Sequence, residues 1–203
     1  MYRLRAFIFL FLSVFSFGAF AQENKDPKAM YDQIKYLDHK RDEALKNEMD
    51  AGAGWLSWAC TTDDCKDSYK LTTELNKRGE TEPAAAFYAG LLNLEFAQRA
   101  NNHGLAKIVE PASKDARKQF ALASSAGIAA ASWNMGLIYA TSLGVQGSNL
   151  AAIEWYGRAG HQYLRDGERE NALAALEKME TWDAKNQDSK RLRGALFPAP
   201  KKK

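Results

Sequence analysis

Histidine and cysteine, the residues that most often build metal centres and nucleophilic sites, are nearly missing: three and two respectively in 203 residues. His39, His103 and His161 fall in different predicted elements, and none has a partner at metal or triad spacing. His39 sits among Asp38, Lys40 and Arg41, as on a solvated helix face; His103 falls in a predicted loop, and His161 ends a predicted helix. No G-x-S-x-G, Walker loop, H-E-x-x-H or dinucleotide fingerprint occurs. A carboxylate pair could be drawn from the acids, but Glu168, Glu170, Glu177 and Glu180 lie beside Arg169 and Lys178 at the spacing of exposed helical charge. Catalytic sites need convergent partners, so no catalytic, metal-binding or cofactor-binding residue is assigned. Proline is also scarce, at 5 residues, which permits long helices. Strand-like alternation, Gly/Ser linkers and low-complexity tracts are absent from the body.

The first residues have the pattern of an export signal. Arg3 and Arg5 are followed by an almost wholly apolar run, Ala6 to Phe17, and Ala19 and Ala21 supply the small residues of an A-x-A cleavage site. Cleavage is expected after Ala21, leaving no membrane span. The competing reading, an uncleaved anchor, needs about 20 apolar residues, more than this run offers. The absence of cysteine at the cut argues against a bacterial lipid anchor, and the absence of a twin arginine makes unfolded export the default. A periplasmic or secreted location follows. Removing residues 1–21 discards two positive charges and no acid, so the net charge falls from +3 to +1. Lys201, Lys202 and Lys203 supply three of the remaining positives, and the body without them is slightly acidic, which argues against nucleic-acid binding.

In an oxidising compartment Cys60 and Cys65 are expected to form a disulfide. They are separated by Thr-Thr-Asp-Asp, so the bridge closes a short turn at a helix end. Such a small loop contributes on the order of 2 kcal/mol. The alternative, a redox or metal pair, lacks C-x-x-C spacing and a nearby histidine.

Asp26-Pro27 reads as a capped helix start, followed by an apolar stripe through Met30, Ile34, Leu37, Ala44, Leu45 and Met49 and a stop at Gly52-Ala53-Gly54. Tyr69 to Lys77 predicts a second, short helix ending near Gly79. From Pro83 onward the chain repeats itself. Ala116-Arg-Lys-Gln119-Phe120-Ala-Leu-Ala123 matches Ala152-Ile-Glu-Trp155-Tyr156-Gly-Arg-Ala159 at a constant offset of 36. Each block puts small and aromatic residues on one helical face. Ahead of them, Ala85-Ala-Phe87-Tyr-Ala-Gly90-Leu-Leu92 matches Ala131-Ser-Trp133-Asn-Met-Gly136-Leu-Ile138 at an offset of 46. The difference of about ten residues predicts a loop insertion over Asn101–Ser113. A glycine inside a helix costs about 0.5–1 kcal/mol relative to alanine, so Gly90 and Gly136 point to close helix packing.

The copy Met135-Gly136-Leu-Ile-Tyr139, Gly144-Val145, Ser148, Ala152, Trp155-Tyr156 and Ala159 resembles a Sel-one-like repeat, the longer relative of the tetratricopeptide repeat. Four departures stand out. Ser142 replaces the loop's first glycine, Ser148 the capping Asp, Gly160 the second alanine of a pair, and Asn93 the tyrosine of the earlier copy. Adding 36 to Gly136 reaches Ala172, in an alanine- and leucine-rich stretch expected to be a capping helix. The resemblance implies an all-α, right-handed solenoid of stacked antiparallel helix pairs over residues 83–180. It would be preceded by a helical cap with an eroded repeat over 22–82 and followed by a helix end and basic tail over 181–203.

What the family implies is protein–protein assembly, often in bacterial envelopes. The expectation is therefore an exported scaffold or adaptor for a protein partner, with no cofactor. The alternatives are an envelope hydrolase directed at β-lactams or peptidoglycan, and a periplasmic immunity protein. Trp133, Trp155, Tyr139 and Tyr156 occupy repeat positions and are expected to pack. Trp55, Trp58 and Trp182 lie outside the motif, and either cover the ends of the array or anchor a partner. The Asn101–Ser113 insertion is a second candidate contact.

Overall fold

A computed structural model describes residues 26–50 and 63–198. The predicted leader, Trp55, Trp58, the Cys60–Cys65 pairing and the lysine tail lie outside the described residues. Every regular element among the described residues is a helix: α1 (Pro27–Asp50), α2 (Asp63–Arg78), α3 (Pro83–Asn102), α4 (Ala106–Ser125), α5 (Ala129–Ala140), α6 (Asn149–Arg165), α7 (Arg169–Asp183) and α8 (Gln187–Leu196). Packing follows chain order, α3 against α4, α5 against α6 and α6 against α7, with α1 also reaching α3 and α8 also reaching α6.

Asp26 caps α1 as its position before Pro27 suggests, its Oδ2 accepting from the Ala29 amide at 3.1 Å. Met30 and Ile34 then pack with Leu75 of α2 and with Ala85 and Ala89 of α3. The second helix starts at Asp63, earlier than Tyr69.

The expected loop insertion over Asn101–Ser113 is not a loop. Both α3 and α4 are 20 residues long, and only His103, Gly104 and Leu105 separate them. Gly104 adopts φ +69°, and the Leu105 amide closes back on Ala100 O at 2.8 Å. A glycine-centred helix stop of this kind needs no more chain than that. The extra residues lengthen the pair instead, since α5 has 12 residues.

The repeat is visible as one contact made twice. A Cβ added at Gly90 would lie 2.7 Å from two ring carbons of Phe120, and one added at Gly136 would lie 2.9 Å from Cγ of Tyr156. In each pair the first helix therefore needs glycine so that the second can lay a ring across it. Ala116, Ala123, Ala152 and Ala159 are all fully buried, as close approach requires. One core joins Phe120, Ala112 and Val109 of α4 to Leu94 of α3 and to Met135 and Ile138 of α5. A second joins Tyr156 and Ile153 of α6 to Leu176 and Met179 of α7 and Leu192 of α8.

A polar triad, its two serines buried, links three helices. Ser124 and Ser132 share a hydroxyl bond of 2.6 Å, Ser132 donates to Gln162 Oε1 at 2.6 Å, and Gln162 Nε2 donates to Ser124 O at 2.9 Å. In the α5–α6 loop Gly144 has φ +59°, and a Cβ there would meet Val109 O at 2.7 Å. Ser142, where the repeat pattern has glycine, is held at φ 54°. Ser148 caps α6 by accepting from the Ala151 amide at 3.1 Å.

The carboxyl end also differs from expectation. Residues 181–203 were expected to hold a helix end and a tail, but α7 runs to Asp183 and a separate helix, α8, follows. Asn186 caps it, accepting from the Asp188 amide at 2.8 Å, and Leu192 and Leu196 are fully buried one turn apart. Gly160 is explained by the same helix: the Leu192 side chain occupies the space an alanine methyl would need.

Candidate functional site

The sequence-derived residues divide into those that hold the helices together and those that face outward. Gly90, Phe120, Gly136, Tyr156, Ala116, Ala123, Ala152 and Ala159 are packing residues. Tyr139 and Trp155 are half-buried against the first core. Trp155 also carries the Arg158 guanidinium over its ring, 4.8 Å from the centroid. Trp182 is half-buried and stacks on Tyr156 at 6.0 Å, with Trp133 edge-on to the same ring at 5.0 Å. Burial pushes the Tyr156 phenol up to about 12.

His39, His103 and His161 are exposed and lie on α1, in the α3–α4 turn and on α6. Among the described residues no group of three or more His, Cys, Asp or Glu could hold a metal ion. No helix among them is long and apolar enough to cross a membrane.

Two concave features stand out among the described residues. One, of about 400 Å³, lies between the α3–α4 turn and the α5–α6 loop and is lined by Asn101, Val109, Glu110, Gly144 and Val145 among others. The other, of about 360 Å³, lies where α2, α3 and α4 meet. Its lining residues are all of polar type: Asn76, Lys77 and Glu80 come from α2 and the turn after it, Asn93 from α3, and Asp115, Lys118 and Gln119 from α4. Asn93 Nδ2 donates to Asn76 Oδ1 at 3.1 Å, and Asn76 Nδ2 donates to Thr72 O at 3.0 Å. Gln119 is only 7% exposed, and its Nε2 reaches the Asn76 carbonyl at 3.5 Å. Close by, α1 is tied to α3 through Glu95, which accepts from the Tyr31 hydroxyl at 2.7 Å and pairs with Lys35. Burial and then the Glu95 bond raise the Tyr31 phenol well above its ordinary value.

Sequence reasoning did not find this cavity. Asn93 was visible as a departure from the repeat, but Asn76 and Gln119 carried no signal until the helices were placed side by side. Comparison with known proteins gives the chain no relative: no family model, curated protein or solved structure matches it.

Proposed function

We propose that this chain is an exported helical-repeat scaffold, a right-handed α-solenoid of the Sel-one-like kind, that holds a protein or peptide partner in the cell envelope. The observation that carries the reading is the repeated contact of a helix glycine with the ring of the following helix, Gly90 with Phe120 and Gly136 with Tyr156. Helix pairs that repeat in this way bury their apolar faces only by leaning on the next pair, and a stack of them leaves an extended surface open. Packing in chain order supports the same reading. The leader pattern over residues 1–21 supports export, and the chemistry of such a scaffold lies in what it holds rather than in bonds it breaks.

Crosslinking in the native host, followed by purification from the envelope fraction, should return one discrete partner. The mature amino terminus should read Gln22. If repeated captures return no specific partner while the pure protein hydrolyses a chromogenic β-lactam or peptidoglycan, the scaffold reading is wrong. Intact mass after alkylation, with and without reductant, tests the expected Cys60–Cys65 bridge: labelling only after reduction supports it, and free thiols in fresh protein refute it.

A further inference from the structure

The two helix pairs differ at positions where a repeat should agree. Offsets of 46 and 36 set Asn93 against Tyr139 and Gln119 against Trp155. In the later pair both aromatic side chains pack against the core they share with the preceding helices. In the earlier pair both counterparts are carboxamides, and both line the cavity at the α2–α3–α4 junction, beside a third carboxamide, Asn76. Space that two rings fill in one copy is lined by amides in the other.

A carboxamide is a poor choice for packing. Gln119 is buried as a residue, but among the described side chains only Arg117 Nε is both shut off from water and unpartnered, so the Gln119 amide keeps access to the cavity. Neither Gln119 Oε1 nor Asn93 Oδ1 accepts a hydrogen bond from a described residue. The amide lies against the turn after α2: a Cβ at Gly79 would come 2.7 Å from Gln119 Oε1. Around the amides the lining charges balance, with Lys77 and Lys118 against Glu80 and Asp115.

We propose that this cavity binds the main chain of a short peptide that is free at both ends and so carries both an ammonium and a carboxylate. The proposal rests on the scaffold reading and specifies one site within it. A side-chain amide matches a peptide amide group for group, each offering one carbonyl and one N–H to the other. The lysines suit a carboxylate, and Glu80 and Asp115 suit an ammonium. A phosphate or other multiply charged anion would meet as much repulsion as attraction from such a lining. No aromatic ring lines the cavity to stack on a sugar.

The test uses the mature chain with tetraglycine, free at both ends, as probe, because it offers main chain and termini alone. Carboxamide ¹⁵N–¹H resonances of Asn76, Asn93 and Gln119 should shift on titration, and acetyl- and amide-capped tetraglycine should bind at least about tenfold more weakly. The double variant Asn93→Tyr/Gln119→Trp restores the rings of the later copy and should abolish the shift of the carboxamide that remains, that of Asn76. Should that variant fail to fold, Glu80→Lys/Asp115→Lys changes only exposed side chains and should weaken free tetraglycine at least about tenfold. No shift in the wild-type chain, an equal shift in the ring-restored variant, or a response of the same amides to glucose or inorganic phosphate instead would overturn the proposal. Its failure is separable from that of the scaffold reading. A native partner captured equally by wild type and by the ring-restored variant rejects this site and leaves the scaffold standing. Tetraglycine binding in a chain that captures no partner does the reverse.

Discussion

Replacing Gly90 with alanine sets two effects of opposite sign against each other. Helix propensity alone favours alanine by about 1 kcal/mol in a helix interior. The new methyl, however, would sit 2.7 Å from Cδ1 and Cε1 and 3.1 Å from Cζ of Phe120. That ring is fully buried. Overpacking in a filled core costs roughly 1–3 kcal/mol, and an enclosed ring belongs at the upper end. The net expectation is a loss of about 2 kcal/mol, or a melting temperature lower by roughly 4–8 °C at this chain length. Urea unfolding followed by far-ultraviolet circular dichroism should show a lower midpoint with an unchanged slope. In a Phe120→Leu background the obstruction shrinks, so the same alanine should become neutral or stabilising, giving a strongly coupled double-mutant cycle. A Gly90→Ala protein as stable as wild type, or an additive cycle, would refute the ring-over-glycine account of the repeat.

Three further outcomes follow from local geometry. Ser142→Gly should raise stability by about 1 kcal/mol by relieving a left-handed backbone that only glycine adopts freely, and a lower urea midpoint would contradict this. Ser132→Ala strips the hydroxyl between Ser124 and Gln162 and should cost about 1–3 kcal/mol; a neutral result would mean that water replaces it. Because burial pushes the Tyr156 phenol up to about 12 from an ordinary 10, its contribution is intact below about pH 10 and is lost as pH rises towards 12. Thermal melts of Tyr156→Phe across that interval should therefore fall less steeply than those of wild type, and parallel curves would refute the assignment.

The repeat could be read from the chain because its marks are local. A glycine facing an aromatic one helix later, with alanines a turn either side, survives as a spacing. The Asp26 and Ser148 caps are equally local, each lying three residues before the amide it receives. What escaped were elements whose marks are weak or contradicted. Pro111 lies inside α4 and argues against helix where helix forms. The last helix, α8, is polar and highly charged and shows only Leu192 and Leu196 as an apolar pair, too few to establish a period over 10 residues. The polar cavity was half legible. Asn93 broke the pattern and could be noticed, whereas Gln119 mattered only beside Asn76, and no spacing along the chain relates residues that three different helices bring together.

The unequal lengths of the helix pairs give the molecule a direction of failure. At 1.5 Å per residue, α3 extends about 12 Å further than α5, and the core around Phe120 engages three helices along that length. At the carboxyl end α8 is held mainly by Leu192 and Leu196. In a protein whose helices lean chiefly on their chain neighbours, openings start where the fewest apolar contacts must separate. Amide protons should therefore be released from α8 first, then from α7, and last from the middle of α4, so that under stress the chain frays inward and parts with its paired long helices at the end.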